Sequence, residues 1–358
     1  MKGKVWRYIE EDGVSASFGL AGDEYLMQTA AVGGPPTLRL YTYRSHAALV
    51  GQFQNVEAEV RVDECRRRGI AINRRPTGGG SVIMGEEQLG VALVASTHGV
   101  QYQKCHAAIF EACSDGLLAG LRWLGIHAGF RPKNDIEVGG KKIAGLALSI
   151  DERESFLCHA SLLVDFDVSL MLAVLNLPRE KIAGKAIASF EERLTTVRRE
   201  LESPVSTSEV RAHVRSGFAE ALAARFEPKS WTEEEHAAIS ALESRKYSTP
   251  EWVFEHVPTP DAVGTSLLKT SAGLLRVYVA LGGEVLKNVM VTGDFFATTR
   301  ALTNLEARVK WTHATPEGIA KTIRAVFAAD GPPIIGLSAD ALTEAISTAV
   351  VAARGNAG

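Results

Sequence analysis

Arg74-Arg75-Pro76-Thr77-Gly78-Gly79-Gly80-Ser81-Val82 is the stretch on which the reading of this chain turns. Two arginines close a short β-rich run, Gly69-Ile70-Ala71-Ile72-Asn73. A threonine and three consecutive glycines follow, and then a second apolar run begins. Consecutive glycines are entropically costly, so a chain keeps them where a turn needs positive φ or where something must approach bare backbone. Unshielded N–H groups beside arginines make a cradle for an oxyanion. The same residues also make a plain hairpin turn. The stretch by itself leaves both readings open, and the rest of the chain has to choose.

Composition narrows the field. The chain has 358 residues, enough for two or three domains. Its 46% apolar and 23% charged residues are those of an ordinary globular protein. A formal net charge of -3 argues against a dedicated nucleic-acid binder. No apolar run is long enough to span a bilayer, and Met1-Lys2-Gly3-Lys4-Val5-Trp6-Arg7 lacks the apolar centre of a signal peptide. A cytoplasmic location without membrane association is therefore expected. The four cysteines, Cys65, Cys105, Cys113 and Cys158, show neither C-x-x-C nor zinc spacing and read as reduced thiols.

Along the chain, Asp23 to Met27 reads as part of an early helix, and Pro36 to Tyr43 alternates as a strand. Ala48-Leu49-Val50-Gly51 is a second strand running into Gln52-Phe53-Gln54-Asn55, and Val56 to Arg68 is charged and helix-compatible. Leu89 to Ala95 reads as a buried strand, and residues 103–124 carry apolar residues at helical spacing. Asp135 to Val138 and Lys142 to Leu148 flank Gly139-Gly140-Lys141 as a hairpin, followed by a strand from Phe156 to Val164. A short helix at 168–176 precedes a polar loop from Lys181 to Val197. An amphipathic helix is expected over 207–226, and Thr232-x-x-Glu235 opens another with a capping box. Lys246 to Trp252 marks a boundary. Beyond about 264, strands Leu274 to Leu281 and Val285 to Val291 precede helices near 301–309, 316–328 and 339–353. Thr315 is the N-cap and Pro316 the first residue of the second of these helices.

The polar residues between apolar flanks fall into an ordered set. Gly51-Gln52-Phe53-Gln54-Asn55 comes first, then the glycine stretch, then Asn134-Asp135-Ile136, Lys142-Ile143-x-Gly145 and His159-x-Ser161-Leu162-Leu163. Lys185-x-x-x-Ser189-Phe190-x-x-Arg193-Leu194-Thr195, then Tyr247, Glu251 and Trp252, then Gly293-Asp294-Phe295-Phe296 complete it. In order and spacing this set resembles the lipoate–protein ligase A family, within the superfamily of lipoate ligases, octanoyl/lipoyl transferases and biotin ligases. The resemblance covers nearly the whole chain.

The resemblance implies a large α/β (α+β) catalytic domain, residues 1–250, with mixed β-sheets and flanking helices. A linker at 251–263 and a small C-terminal α+β accessory domain at 264–358 would follow. It implies ATP-dependent activation of lipoate, or octanoate, to an acyl-adenylate and transfer to a carrier lysine, with Mg2+ accompanying the ATP. The carrier would be a 2-oxoacid dehydrogenase E2 lipoyl domain, a glycine-cleavage H protein or a specialised lipoate-binding protein. Forcing a carboxylate against a phosphate needs fixed positive charge and preorganised donors. Lys142 is the expected catalytic cation, a compact point charge on a strand. Arg75, Thr77, Gly78, Gly79, Gly80, His159 and Ser161 are expected on the acyl side. Arg75, Gly80, Val82, Asn134, Asp135, Lys142, Ala144, Ser189, Arg193 and Thr195 are expected around the adenylate, with Asp135 on Mg2+.

The sequence departs from the pattern at two places. Met84 stands where many relatives have a histidine, and Glu191-Glu192 where the family loop tends to be basic or small. Two other functions stay open. One is an ATP-independent acyltransferase between carriers, some of which use a cysteine just before the hairpin. Here that approach reads Gly129-Phe130-Arg131-Pro132-Lys133. The other is a carrier-binding homologue without catalysis. Cys158 and His159 are strand neighbours and point to opposite faces, so they do not form a dyad.

Overall fold

The computed structural model describes residues 5–98, 102–151, 154–176 and 192–356, with the backbone alone at 102–105. The chain divides into two compact units. Met1–Val50, Glu59–Thr77 and Val82–Val253 form the first, and Gly51–Ala58, Gly78–Ser81 and Phe254–Gly358 form the second. The glycines and the Gly51–Asn55 motif thus group with the C-terminal residues rather than with the sequence around them.

The first unit is built on a mixed sheet of eight strands. They are β1 (Val5–Val14), β2 (Thr37–Tyr43), β6 (Gln88–Ser96), β7 (Gly129–Arg131), β8 (Asp135–Val138), β9 (Lys141–Asp151), β10 (Ser155–Leu163) and β11 (Arg225–Pro228), in the order β11-β1-β2-β6-β10-β9-β8-β7. A second small sheet joins β3 (Ala47–Val50), β4 (Ala71–Arg74) and β5 (Val82–Met84). Parallel strands need a crossover, and the helix Ala16–Ala31 supplies it between β1 and β2, N-capped by Ser15. That helix lies against β6 and β10, whereas Tyr102–Trp123, paired with Thr207–Leu222, meets β9 and β10. Strand alternation sorts β10 accordingly. Cys158 turns to Cys113 on the second helix, and His159 turns to Asp23 on the first.

Local signals that were plain in the sequence appear as expected. Thr232 and Glu235 form a reciprocal capping box, and Thr315 caps a helix that starts at Pro316. Elsewhere the structure corrects the reading. The helix expected over 207–226 stops at Leu222, because Ala223 adopts left-handed φ of 47° and frees Arg225–Pro228 to pair with β1. Val56 to Arg68 breaks into two short helices, Val56–Glu59 and Val62–Arg68. At Glu243–Tyr247 the backbone widens into a π-helix before the turn Pro250–Val253. The loop segment 177–191, including Lys185 and Ser189, lies outside the described residues.

The second unit is an antiparallel meander of β12 (Gly264–Lys269), β13 (Leu274–Gly282) and β14 (Val285–Gly293). Helices Thr299–Val309, Pro316–Asp330 and Ala339–Asn356 follow, around a core that includes Val277, Leu305, Ile323 and Ile346. Phe53 is part of that core and stacks on Phe295, ring centroids 5.3 Å apart. The architecture is therefore a mixed α/β unit with flanking helices plus a smaller α/β unit. Among the described residues no helix is long and apolar enough to cross a membrane.

Candidate active site

The β8–β9 hairpin turns through Gly139 and Gly140, both at positive φ. Its register then slips. Glu137 faces Lys142 and Ile136 faces Ala144, so Ile143 is left over as a bulge. A bulge exchanges the faces of the residues beyond it. Here it brings Lys142 to the face that carries Asp135 and Gly145, where strict alternation would have turned it away. The Lys142 ammonium meets Asp135 Oδ1 at 2.6 Å. A Cβ on Gly145 would stand 2.8 Å from Lys142 Nζ, so the absent side chain is the room in which the lysine lies.

Two further sets of bonds fix this corner. Asn134 clamps Leu146, its carbonyl accepting from Leu146 N at 2.7 Å and its Nδ2 donating to Leu146 O at 2.9 Å. Lys133 just before it is held at φ 115°, a strained conformation for a side-chain-bearing residue. Lys142 N donates to Arg193 O at 2.8 Å, and Thr195 N donates to Lys142 O at 2.9 Å. The residues that follow the loop are thereby stitched to the backbone of Lys142. Arg193 is exposed; the Thr195 hydroxyl is buried and donates to Glu200. The Lys142–Asp135 pair is partly exposed, and pairs of this kind contribute about 1 kcal/mol or less. An anion brought against Lys142 would therefore displace Asp135 at little cost.

A row of register partners crosses the sheet from this corner: Asp135, Gly145, Ser161, Gly90 and Tyr41. Lys142 lies over Gly145, and the Tyr41 ring lies over Gly90, where a Cβ would come within 2.6 Å of it. Ser161 sits between them, half-buried. Ala144 is buried on the opposite face of β9.

Behind Tyr41 runs a buried chain of polar groups. Thr77 Oγ1 is 3.1 Å from His159 Nδ1, and His159 Nε2 is 2.9 Å from Asp23 Oδ2. Tyr41 donates to the same Asp23 oxygen, and Arg39 Nη1 donates to Asp23 Oδ1 at 2.7 Å. Arg39 Nε donates to Glu11. Burial alone would raise the Asp23 carboxyl, but Arg39 and His159 outweigh it and hold it below the usual carboxylate range. Burial and Asp23 push the Tyr41 phenol well up. Both side chains of the Arg39–Asp23 pair are wholly buried, and removing one member of such a pair costs about 3–5 kcal/mol. His159 thus spends both ring nitrogens inside the protein. His159 was expected on the acyl side; in the structure its two ring nitrogens meet Thr77 and Asp23.

The two arginines of the opening stretch divide their work. Arg74 donates to the carbonyls of Trp252 and Val253, while Trp252 Nε1 donates to Arg74 O. It anchors the end of the first unit. Arg75 is buried and donates to Leu49 O. Burial pushes its guanidinium down to about 10, Arg74 acting the same way and Tyr43 and Tyr41 in opposition. An anion brought against it would be favoured in proportion. Val82 is half-buried on β5, and Met84 packs into the hydrophobic cluster with Ala47, Leu49 and Tyr43.

Within the second unit, each glycine answers to a different constraint. Gly78 presses on Phe295, whose carbonyl would lie 2.4 Å from an added Cβ. Gly79 has φ 95° and donates its N–H to Phe295 O. Gly80 is open, with Asp294 Cβ 3.7 Å from an added Cβ. Ser81 Oγ donates to Gln54 Oε1, which also accepts from Gly51 N.

Among the described residues no group of three His, Cys, Asp or Glu is arranged to hold a metal. Mg2+ needs only one or two carboxylates when phosphate oxygens and waters complete its shell. Asp135 offers one such carboxylate, beside Lys142.

Asp23, Arg39 and Tyr41 were not singled out in the sequence as site residues. Their signal was an arginine and a tyrosine two apart in the apolar strand Leu38-Arg39-Leu40-Tyr41, with a carboxylate among the apolar residues of the preceding helix.

The family described as the lipoyl protein ligase A/B catalytic domain matches residues 15–219. The chain is 33% identical to the octanoyltransferase LipM of Kyrpidia tusciae over 273 residues, 70% of this chain and 98% of that one. It is similar to the bi-partite lipoate protein ligase of Thermoplasma acidophilum, with TM-score 0.64 and 30% identity over 72% of this chain and 98% of that one. The fold alone also matches P. falciparum LipL1, with TM-score 0.72 at 14% identity over 90% of this chain and 94% of that one.

Proposed function

The chain belongs to the lipoyl protein ligase A/B catalytic-domain family, and from that premise we propose that it is an ATP-dependent lipoate–protein ligase. In this reading the carboxylate of lipoate, or octanoate, attacks the α-phosphate of ATP and pyrophosphate leaves. A lysine of a carrier domain then takes the acyl group and releases AMP. The observation that carries the reading is the Lys142 corner. A bulge aims the ammonium, Gly145 gives it room, Asp135 holds it by a weak pair, and Arg193–Thr195 is bonded to its backbone. A fixed cation between two anions is what adenylation requires.

Asn134, Asp135, Val82, Ser189, Arg193 and Thr195 are assigned to the nucleotide side of Lys142, with Ala144, whose side chain lies on the opposite face of β9, assigned there through its backbone alone. Arg75, Thr77, Gly78, Gly79, Gly80, His159 and Ser161 are assigned to the acyl side, with His159 acting through Thr77. When bound with ATP, Mg2+ would neutralise phosphate charge beside Asp135. The acceptor would be an E2 lipoyl domain, an H protein or another lipoate-binding carrier.

A second reading is ATP-independent transfer of octanoyl or lipoyl groups between carriers. It is favoured by relatives that bear the name octanoyltransferase. Against it stand the approach to the hairpin, Gly129 to Lys133, which contains no cysteine, and, among the cysteines whose side chains are described, the burial of Cys65, Cys113 and Cys158. The two are separated by lipoate- and octanoate-dependent ATP–pyrophosphate exchange. The ligase reading expects exchange that Lys142→Ala abolishes. Absence of exchange, with acyl transfer from octanoyl-acyl carrier protein, would establish the transferase instead.

A further inference from the structure

We propose that Thr77, His159 and Asp23 form a buried proton path that serves the second half-reaction, the attack of the carrier lysine. The inference rests on the acyl-adenylate reading above. Asp23 Oδ2 can only accept, so in the neutral ring the proton sits on Nε2 and Nδ1 is left as an acceptor. The Thr77 hydroxyl therefore donates to Nδ1 and turns its lone pairs away from the ring. That oxygen is wholly buried in this structure and suits a donor brought into the site, and of the groups that take part in the two half-reactions the amine is one.

The attacking species is the neutral amine. As its lone pair bonds to the acyl carbon, the bond from that carbon to the phosphate oxygen breaks, and AMP leaves with the electron pair. The nitrogen then carries one proton too many. That proton passes to Thr77 Oγ1 while the hydroxyl's own proton passes to His159 Nδ1. The resulting imidazolium lies against Asp23, which Arg39 keeps ionised. The other charged or titratable groups facing this chain are Glu11 on β1, Tyr41 and Tyr43 on β2, Arg75 after β4, and Glu24 with Tyr247 beyond Asp23. Thr77 is the catalytic residue in this scheme, and His159 and Asp23 are positioning residues that act through it.

The test separates the half-reactions. Protein loaded with ready-made lipoyl-AMP is mixed with an E2 lipoyl domain that carries its acceptor lysine, and amide formation is followed in a single turnover. ATP–pyrophosphate exchange is measured in parallel. General-base assistance is typically worth about 100-fold or more. Thr77→Val is expected to slow single-turnover transfer from bound lipoyl-AMP by about that factor, and to slow exchange, which it touches only through its place on the acyl side, by less. Thr77→Ser, which keeps the hydroxyl, is expected to restore most of the transfer rate. Asp23→Asn is expected to slow transfer likewise and to move the His159 ring proton off Nε2 in 15N spectra. Should Asp23→Asn not fold, Thr77→Val carries the test alone. Transfer at the wild-type rate in Thr77→Val, or equal losses in both steps, overturns the proton path. A wild-type protein that neither exchanges nor transfers overturns the ligase reading and the path with it.

Discussion

Lys142 occupies the space that a side chain on Gly145 would need. The two residues are three apart on one strand, and only the bulge at Ile143 puts them on one face. Gly145→Ala is therefore expected to leave the fold intact, because the atom displaced is the far end of a flexible lysine. It should push the ammonium off Asp135 and lower lipoate-dependent pyrophosphate exchange by about tenfold or more, the equivalent of about 1.4 kcal/mol in the barrier. Exchange at the parental level, with melting unchanged, would show that Gly145 does not set the lysine.

The glycine run offers an internal contrast. Gly78→Ala forces a methyl to 2.4 Å from the Phe295 carbonyl and should cost about 1–3 kcal/mol of stability. Gly80→Ala meets only Asp294 at 3.7 Å, so its melting temperature should stay near that of the parent while lipoate binding weakens. Calorimetric titration with lipoate beside thermal melts distinguishes the two. Equal loss of stability in both variants would refute the assignment.

Arg74 is an anchor in this structure. Arg74→Lys cannot reproduce the fork onto Trp252 and Val253. It should lower stability by about 2 kcal/mol, and activity per folded molecule should change little. Denaturant melts with exchange assays on the folded fraction would detect the opposite pattern.

Glu306 gives the second unit a pH dependence. Burial pushes its carboxyl up to about 7 from an ordinary 4.5, although Val291 N donates to it. Above 4.5 the unfolded chain has released this proton and the folded chain has kept it, so stability falls as pH rises. The loss is complete once pH passes about 7 and amounts to no more than about 3 kcal/mol. Glu306→Gln should flatten the fall, and melts of both proteins between these pH values will measure it.

Much of this was legible in the chain. The hairpin, the helix caps and the order of the motifs are local, and local chemistry writes them directly into sequence. The face on which Lys142 emerges was not, because a bulge is a property of pairing between two strands and neither strand states it. The path from Thr77 to Asp23 joins residues 82 and 136 positions apart, and the burial that gives those polar groups meaning exists only once the sheet has formed. Cys158 and His159 were separable in advance, since alternation along a strand is short-range. The attachment of residues 51–58 and 78–81 to the second unit was invisible for a similar reason. It depends on the Phe295 carbonyl and ring, more than two hundred residues downstream.

That attachment has a consequence for how the protein is made. As the chain leaves the ribosome, Gly79 and Phe53 appear long before Phe295, so their partner is still untranslated while β1 to β11 are already available to pair. Domains generally fold in the order of synthesis. The glycine loop therefore acquires its final shape last, and an unfinished chain holding every residue from Asp23 to Thr195 is expected to lack the settled loop until the C-terminal sheet arrives.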